Sequence, residues 1–246
     1  MTLATTYADF AAREAHGVSP VYERLSAAVS GDDKVLALLG TLPPNKRQPN
    51  LLFSVVRLLG GVVEDPDAFH DYTMTNWSRI QAELRSRTVQ TNEPGRCAVL
   101  LPVLASLPQP LALLEVGASA GLCLYPDRYA YRYGSDVVGS DVVGSGEPVV
   151  ECVAADMPAP GRVPDVVWRA GLDLNALDVT AVGDVEWLDA LVWPEQAYRR
   201  ARLRAAAAIV AAEPPLLVRD HLVWRRCEPH HSDAGCLGHT RAAPLD

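Results

Sequence analysis

Apolar residues recur at helical spacing through the first third of the chain. Tyr22, Leu25 and Val29 fall at i, i+3 and i+7, and Trp77, Ile80 and Leu84 repeat the interval. Such stripes pack helix on helix. The punctuation agrees: Ser19-Pro20 and Asp32-Asp33 open two helices, Pro49-Asn50 precedes the run LLFSVVRLL, and Thr75-Asn76 caps the helix of Trp77. Residues 1–90 are therefore predicted to form an all-helical N-terminal cap.

The period changes after Asn92. A helix is expected to open there, with the Asn92 side chain accepting from free backbone N–H groups, Glu93 at the positive end and Pro94 in the first turn. Pro108 and Pro110 stop it, and LALLEV follows as a continuous apolar run, the mark of a strand buried on both faces of a mainly parallel sheet. Further strands are predicted over 129–133, 148–153, 166–169 and Leu216–Arg219, and helices over 185–192 and 195–212. Glu195 and Arg199 are spaced i, i+4 on the last of these. The alternation predicts an α/β fold with an open, doubly wound sheet over residues 91–222. A tandem GSDVV repeat at 134–138 and 139–143 reads as a hairpin or exposed loop enlarged by a short duplication.

Composition narrows the function classes. With 246 residues, 49% of them hydrophobic and 21% charged, the chain can bury a full core. Its net charge is −8 and its Lys and Arg are scattered, so nucleic acid is not the expected partner. No run of eighteen apolar residues occurs, and the N-terminus is amphipathic and acidic, which predicts a cytoplasmic protein with no membrane association. The five cysteines are an odd number in apolar contexts, as fits reduced thiols, with Cys97, Cys123 and Cys152 reading as core residues.

The segment LLEVGASAGLCL carries the chemistry: a strand, the acid Glu115, then Gly117, Ser119 and Gly121 at alternate positions ahead of a predicted helix. Glycine permits positive φ and lets a ligand approach the backbone, and a helix start offers unpaired N–H groups. Three ligand readings compete with a tight turn that binds nothing. Glu115-x-Gly117-x-Ser119-x-Gly121 resembles the E-x-G-x-[GS]-x-G motif of class I S-adenosylmethionine-dependent methyltransferases. A dinucleotide site would want G-x-G-x-x-G, a poorer match; Asp136 or Asp141 could meet a ribose in either case. A nucleophile elbow, G-x-S-x-G, could draw on Asp173 or Asp178 and on His221, but the helical residues before it supply no earlier strands and no oxyanion loop.

Five blocks carry a family resemblance: Gln90-Thr91-Asn92-Glu93 with Arg96, then 114–122, which includes Ala118, then Tyr125-Pro126-Asp127-Arg128-Tyr129, then 168–174, and finally Val192-Trp193-Pro194-Glu195-Gln196. Over about residues 5–220 the chain resembles an uncharacterised bacterial family, domain of unknown function 2332. The resemblance implies a Rossmann-like, class I methyltransferase-like domain behind a helical region, and no established reaction. Within its blocks Asn92, Glu93, Arg169 and Asp173 are candidates for the pocket wall beside Glu115, Gly117, Ala118, Ser119 and Gly121, with S-adenosylmethionine the expected cofactor and an unknown small molecule the substrate. Arg169 and Asp173 could equally form a plain ion pair, and Asn92 a plain cap.

After Leu222 the pattern departs from the family's. WRRCEPHHSDAGCLGHTRAAPLD lacks either structural period, so residues 223–246 are expected to be a disordered tail, truncated or frameshifted, which would leave the sheet incomplete. Cys227, His230, His231, Cys236 and His239 have the ligand types of a zinc site, but no metal is expected.

Overall fold

Side-chain caps set the starts of the helices. In the computed structural model, which describes residues 2–134, 141–143, 148–152 and 159–219, Ser19 Oγ accepts from Tyr22 N ahead of α2 (Pro20–Ser30). Asp32 accepts from Lys34 N and Val35 N ahead of α3 (Asp33–Gly40). The remaining N-terminal helices are α1 (Leu3–Asp9), continued by π-helical turns over Phe10–Ala15, α4 (Pro49–Leu58) and α5 (Pro66–Ser86). Thr75-Asn76 falls at a break in α5: Asn76 leaves helical geometry, with φ −109°, and separates two helical stretches, the second beginning at Trp77, while its Nδ2 donates back to Tyr72 O and closes the preceding turn.

α4 is the pivot of the helical layer. Its Phe53 is fully buried among Tyr7, Phe10, Tyr22 and Phe69, the nearest ring being Tyr22 at 5.0 Å. Its Arg57 donates to the carbonyls of Ala190 and Val192 at the end of α7 (Val182–Leu191). Trp193 then lays its indole against Phe10 and Tyr22. The hydrophobic core therefore runs without interruption from Tyr7 to Val210 of α8 (Ala197–Ala212).

Glu195 and Arg199, expected to pair along α8, part company. Glu195 precedes the helix and accepts from Ser19 Oγ at 2.8 Å and Val21 N at 2.9 Å, so it caps α2 from a distance, while Arg199 reaches Glu93. Asn92 likewise does not open α6 (Arg96–Ser106); Gly95 holds the cap position after a tight turn, and the Asn92 amide points elsewhere.

The strands divide into two sheets in place of the single open sheet expected. β1 (Leu111–Val116), β5 (Val166–Asp173) and β6 (Leu216–Arg219) form a parallel sheet in the order β1-β5-β6. β2 (Ala130–Tyr133) pairs in parallel with β4 (Val149–Cys152) and antiparallel with β3 (Asp141–Val143). A strand has two edges, and the second copy of the repeat occupies, as β3, the one that β1 would need. β1 is also not buried on both faces: Leu114 is 59% and Val116 63% exposed, and Trp168, Leu216 and Val218 on the same side of the sheet are exposed too. On the covered face, Gly171 lies against Ala118 and Leu217, where an added Cβ would overlap both side chains. The described residues thus form a mixed α/β structure that opens with a run of helices. Among the described residues no helix is long and apolar enough to cross a membrane.

Candidate functional site

β1 and β5 run parallel, so their carboxyl ends, Val116 and Asp173, emerge side by side, where open α/β sheets place ligands. A crevice of about 640 Å3 opens there, between the 88–91 segment, the glycine turn and the end of β5. That volume lies within the ordinary range for small-molecule sites.

The turn is held from below. Gly117 N and Ala118 N both donate to Leu172 O, at 2.8 and 3.2 Å, and Ser119 N donates to Asp173 Oδ2 at 2.7 Å. Gly117 and Gly121 have φ of +78° and +73°, and Ser119 also lies in the left-handed region at +53°. Ser119 is kept there by three contacts: the Asp173 carboxylate on its amide, Leu177 N on its carbonyl, and Asn92 Nδ2 on its Oγ at 2.6 Å. The cause is long-range, since Asn92 and Asp173 arrive from before and after the turn.

Two expectations need correction at this point. No α-helix follows the turn: Leu122–Leu124 is a single 3-10 turn, because Pro126 lies too close for a helix to propagate. The amides of Gly117, Ala118, Ser119 and Gly121 are all engaged within the protein, so the turn presents neither a helix dipole nor a row of bare N–H donors.

Of the residues singled out from the sequence, Gly117, Ser119 and Asp173 line the crevice. Beyond Gly117 there is open space: apart from its chain neighbours, no atom of the described residues lies within 4 Å of where a Cβ would stand. Glu115 sits behind the wall. Burial pushes its carboxyl up to about 7, with the exposed Arg96 pulling the other way and Asp173 reinforcing the rise, and its Oε2 has no hydrogen-bond partner among the described residues. Ala118 is buried against Gly171, and Gly121 packs on Pro215 and Leu217; both shape the turn from outside the cavity.

Asn92, Glu93 and Arg169 are positioned elsewhere. Arg169 grips Asp127 with two bonds of 3.0 Å and lies 4.3 Å over the Tyr125 ring, so its partner is Asp127 and not Asp173. Glu93 accepts from Gly95 N and pairs with Arg199 and Arg202; burial opposes its charge, but these partners hold its carboxyl below the usual range. Asn92 faces a second, smaller chamber behind the 88–92 segment.

Sequence reasoning did not single out Asn175 and Thr88. Asn175 N donates to Asp173 Oδ1, its Nδ2 reaches Thr88 Oγ1, and its carbonyl accepts from Gln90 Nε2. Nothing local marks these residues beforehand, because each bond joins segments more than eighty residues apart, the Asp173 contact excepted. The His221 of the elbow reading lies outside the described residues; within them, His16 pairs with Glu23, His70 with Asp32, and Ser119 is buried. Among the same residues no cluster of three His, Cys, Asp or Glu could hold a metal, and the Cys/His tail lies outside them, as does Asp136.

Residues 4–224 match the family described as "Uncharacterized protein conserved in bacteria (DUF2332)", and the chain belongs to that family. No curated protein and no solved structure matches the chain.

Proposed function

We propose that this member of the bacterial family holds S-adenosylmethionine in the crevice at the ends of β1 and β5 and acts as a methyltransferase on a small molecule. Its β1-β5-β6 sheet would then be the core of a Rossmann-like domain. The observation that carries the reading is the open space over Gly117, in a cavity whose one ionisable lining side chain among the described residues is the acid Asp173. With that carboxylate on the wall, the local field favours a cation over an anion. The sulfonium and ammonium groups of S-adenosylmethionine suit that field. A dinucleotide suits it less, because its pyrophosphate would meet a carboxylate at a turn whose amides are already engaged.

The cofactor would supply the activated methyl group. This chain's residues would bind and orient: Asp173, itself fixed by Ser119 N and Asn175 N, presents a preorganised charge, and Gln90 and Asn175 close the side wall. A non-catalytic binding protein is the second reading, favoured by the lack of any other proton-transferring group on the described walls.

Isothermal titration with S-adenosylmethionine, S-adenosylhomocysteine and NAD(H) tests the site. The first two are expected to bind, and Gly117→Asp, whose side chain would project into the cavity, should weaken them by about a hundredfold or more. Binding of NAD(H) alone would overturn the assignment. Transfer of a labelled methyl group to a metabolite extract separates enzyme from binder.

A further inference from the structure

The 88–92 segment has a cavity on each side. Behind it, between α4 and the corner joining α7 to α8, lies a chamber of about 210 Å3, and Val89, Gln90 and Thr91 line both spaces. Three polar groups on the chamber wall lack a partner among the described residues. Asn50 Oδ1 and Gln90 Oε1 are buried acceptors with nothing donating to them. Turning the Gln90 amide over would not help, because its Nε2 already donates to Asn175 O at 2.6 Å. Arg199 is the third, with a side chain 30% exposed: its Nε is taken by Glu93 and its Nη1 by Gln196 Oε1, which leaves Nη2 for a further acceptor.

Charge is unbalanced here as well. Among the described residues Glu93 is the one carboxylate serving both Arg199 and Arg202, so the cluster of these three carries an excess positive charge. Apart from Thr91 and Asn92, the rest of the wall, including Leu188, Trp193 and Leu203, is apolar. Water could satisfy two buried acceptors, but a carboxylate would in addition make a charge-assisted bond to the guanidinium. The space equals that of about seven water molecules, too little for a nucleotide and enough for a compact metabolite.

We propose that this chamber binds a small aliphatic carboxylic acid carrying an N–H or O–H donor beside the carboxylate, as in an α-amino or 2-hydroxy acid. The carboxylate meets Arg199, the donor meets Gln90 Oε1 and Asn50 Oδ1, and the alkyl body lies on Leu188, Trp193 and Leu203. The assignment does not depend on what the crevice holds.

The full chain is titrated with L-valine, L-alanine and L-2-hydroxyisovalerate, and with isobutylamine and isovalerate as probes lacking the acid or the donor. At least one of the first three is expected to saturate a single site, with the last two weaker by about tenfold or more. Asn50→Leu, which removes an unpartnered acceptor and spares the fold, and Arg199→Met should each weaken that binding by about tenfold. Gly117→Asp, which fills the crevice alone, should leave it intact, so failure of either site is read separately. The proposal is overturned if none of the three acids binds the folded protein, if isobutylamine binds as well as L-valine, or if Asn50→Leu and Arg199→Met leave binding unchanged.

Discussion

Glu115 keeps a proton at pH values where a surface glutamate has lost it. Its folded-state value near 7 lies above the ordinary 4.5, so between those values the native state binds more protons than the unfolded chain. Stability is therefore fully present in acid, falls as the pH rises from about 4.5 through 7, and then levels off. Partial solvent exposure moderates the size of the loss. Glu115→Gln keeps the shape and cannot ionise. Thermal unfolding should show it near wild type at pH 5 and more stable at pH 8, by about 2–4 °C in Tm for each kcal/mol recovered. An unchanged Tm at pH 8 would mean that Oε2 has a partner after all.

Elements are joined by single side chains that reach across long stretches of sequence. Glu195, just ahead of α8, anchors the start of α2; Glu195→Ala strands Ser19 Oγ and Val21 N and should cost about 1–2 kcal/mol in urea unfolding, against less than about 0.5 kcal/mol for Glu186→Ala, whose carboxylate holds no bond among the described residues. Such ties explain what the sequence revealed and what it hid. Caps such as Ser19 and Asp32 and the strands β1 and β6 were legible, because the signal lies within a few residues. β5 outran its predicted end at 169 because Gly171 reads as a breaker, while in the sheet it makes room for Ala118. The helix expected after Gly121 failed on Pro126, and Asn92 looked like a cap because no local rule points it toward Ser119. Of the site, Gly117, Ser119 and Asp173 were visible in advance; Thr88 and Asn175 belong to it only through pairings that folding creates.

On the scale of the whole molecule the helical layer and the strands share one apolar interior, with Phe53 at its centre and Trp187 and Trp193 joining the two parts. Unfolding should therefore be a single cooperative event, with far-ultraviolet dichroism and tryptophan fluorescence tracing the same curve. Phe53→Ala should lower stability by about 3–5 kcal/mol and move both signals together. Two separated transitions would instead make the first ninety residues an independent unit.

Gly171 has one more consequence. The floor of the crevice is set by a missing methyl: only because residue 171 carries no carbon beyond its backbone can the loop above it settle onto β5. Any larger residue there would lift that loop and reshape the ligand's room without changing a single group that faces it, so the position controlling the outline of the cavity is one that no bound molecule would ever touch.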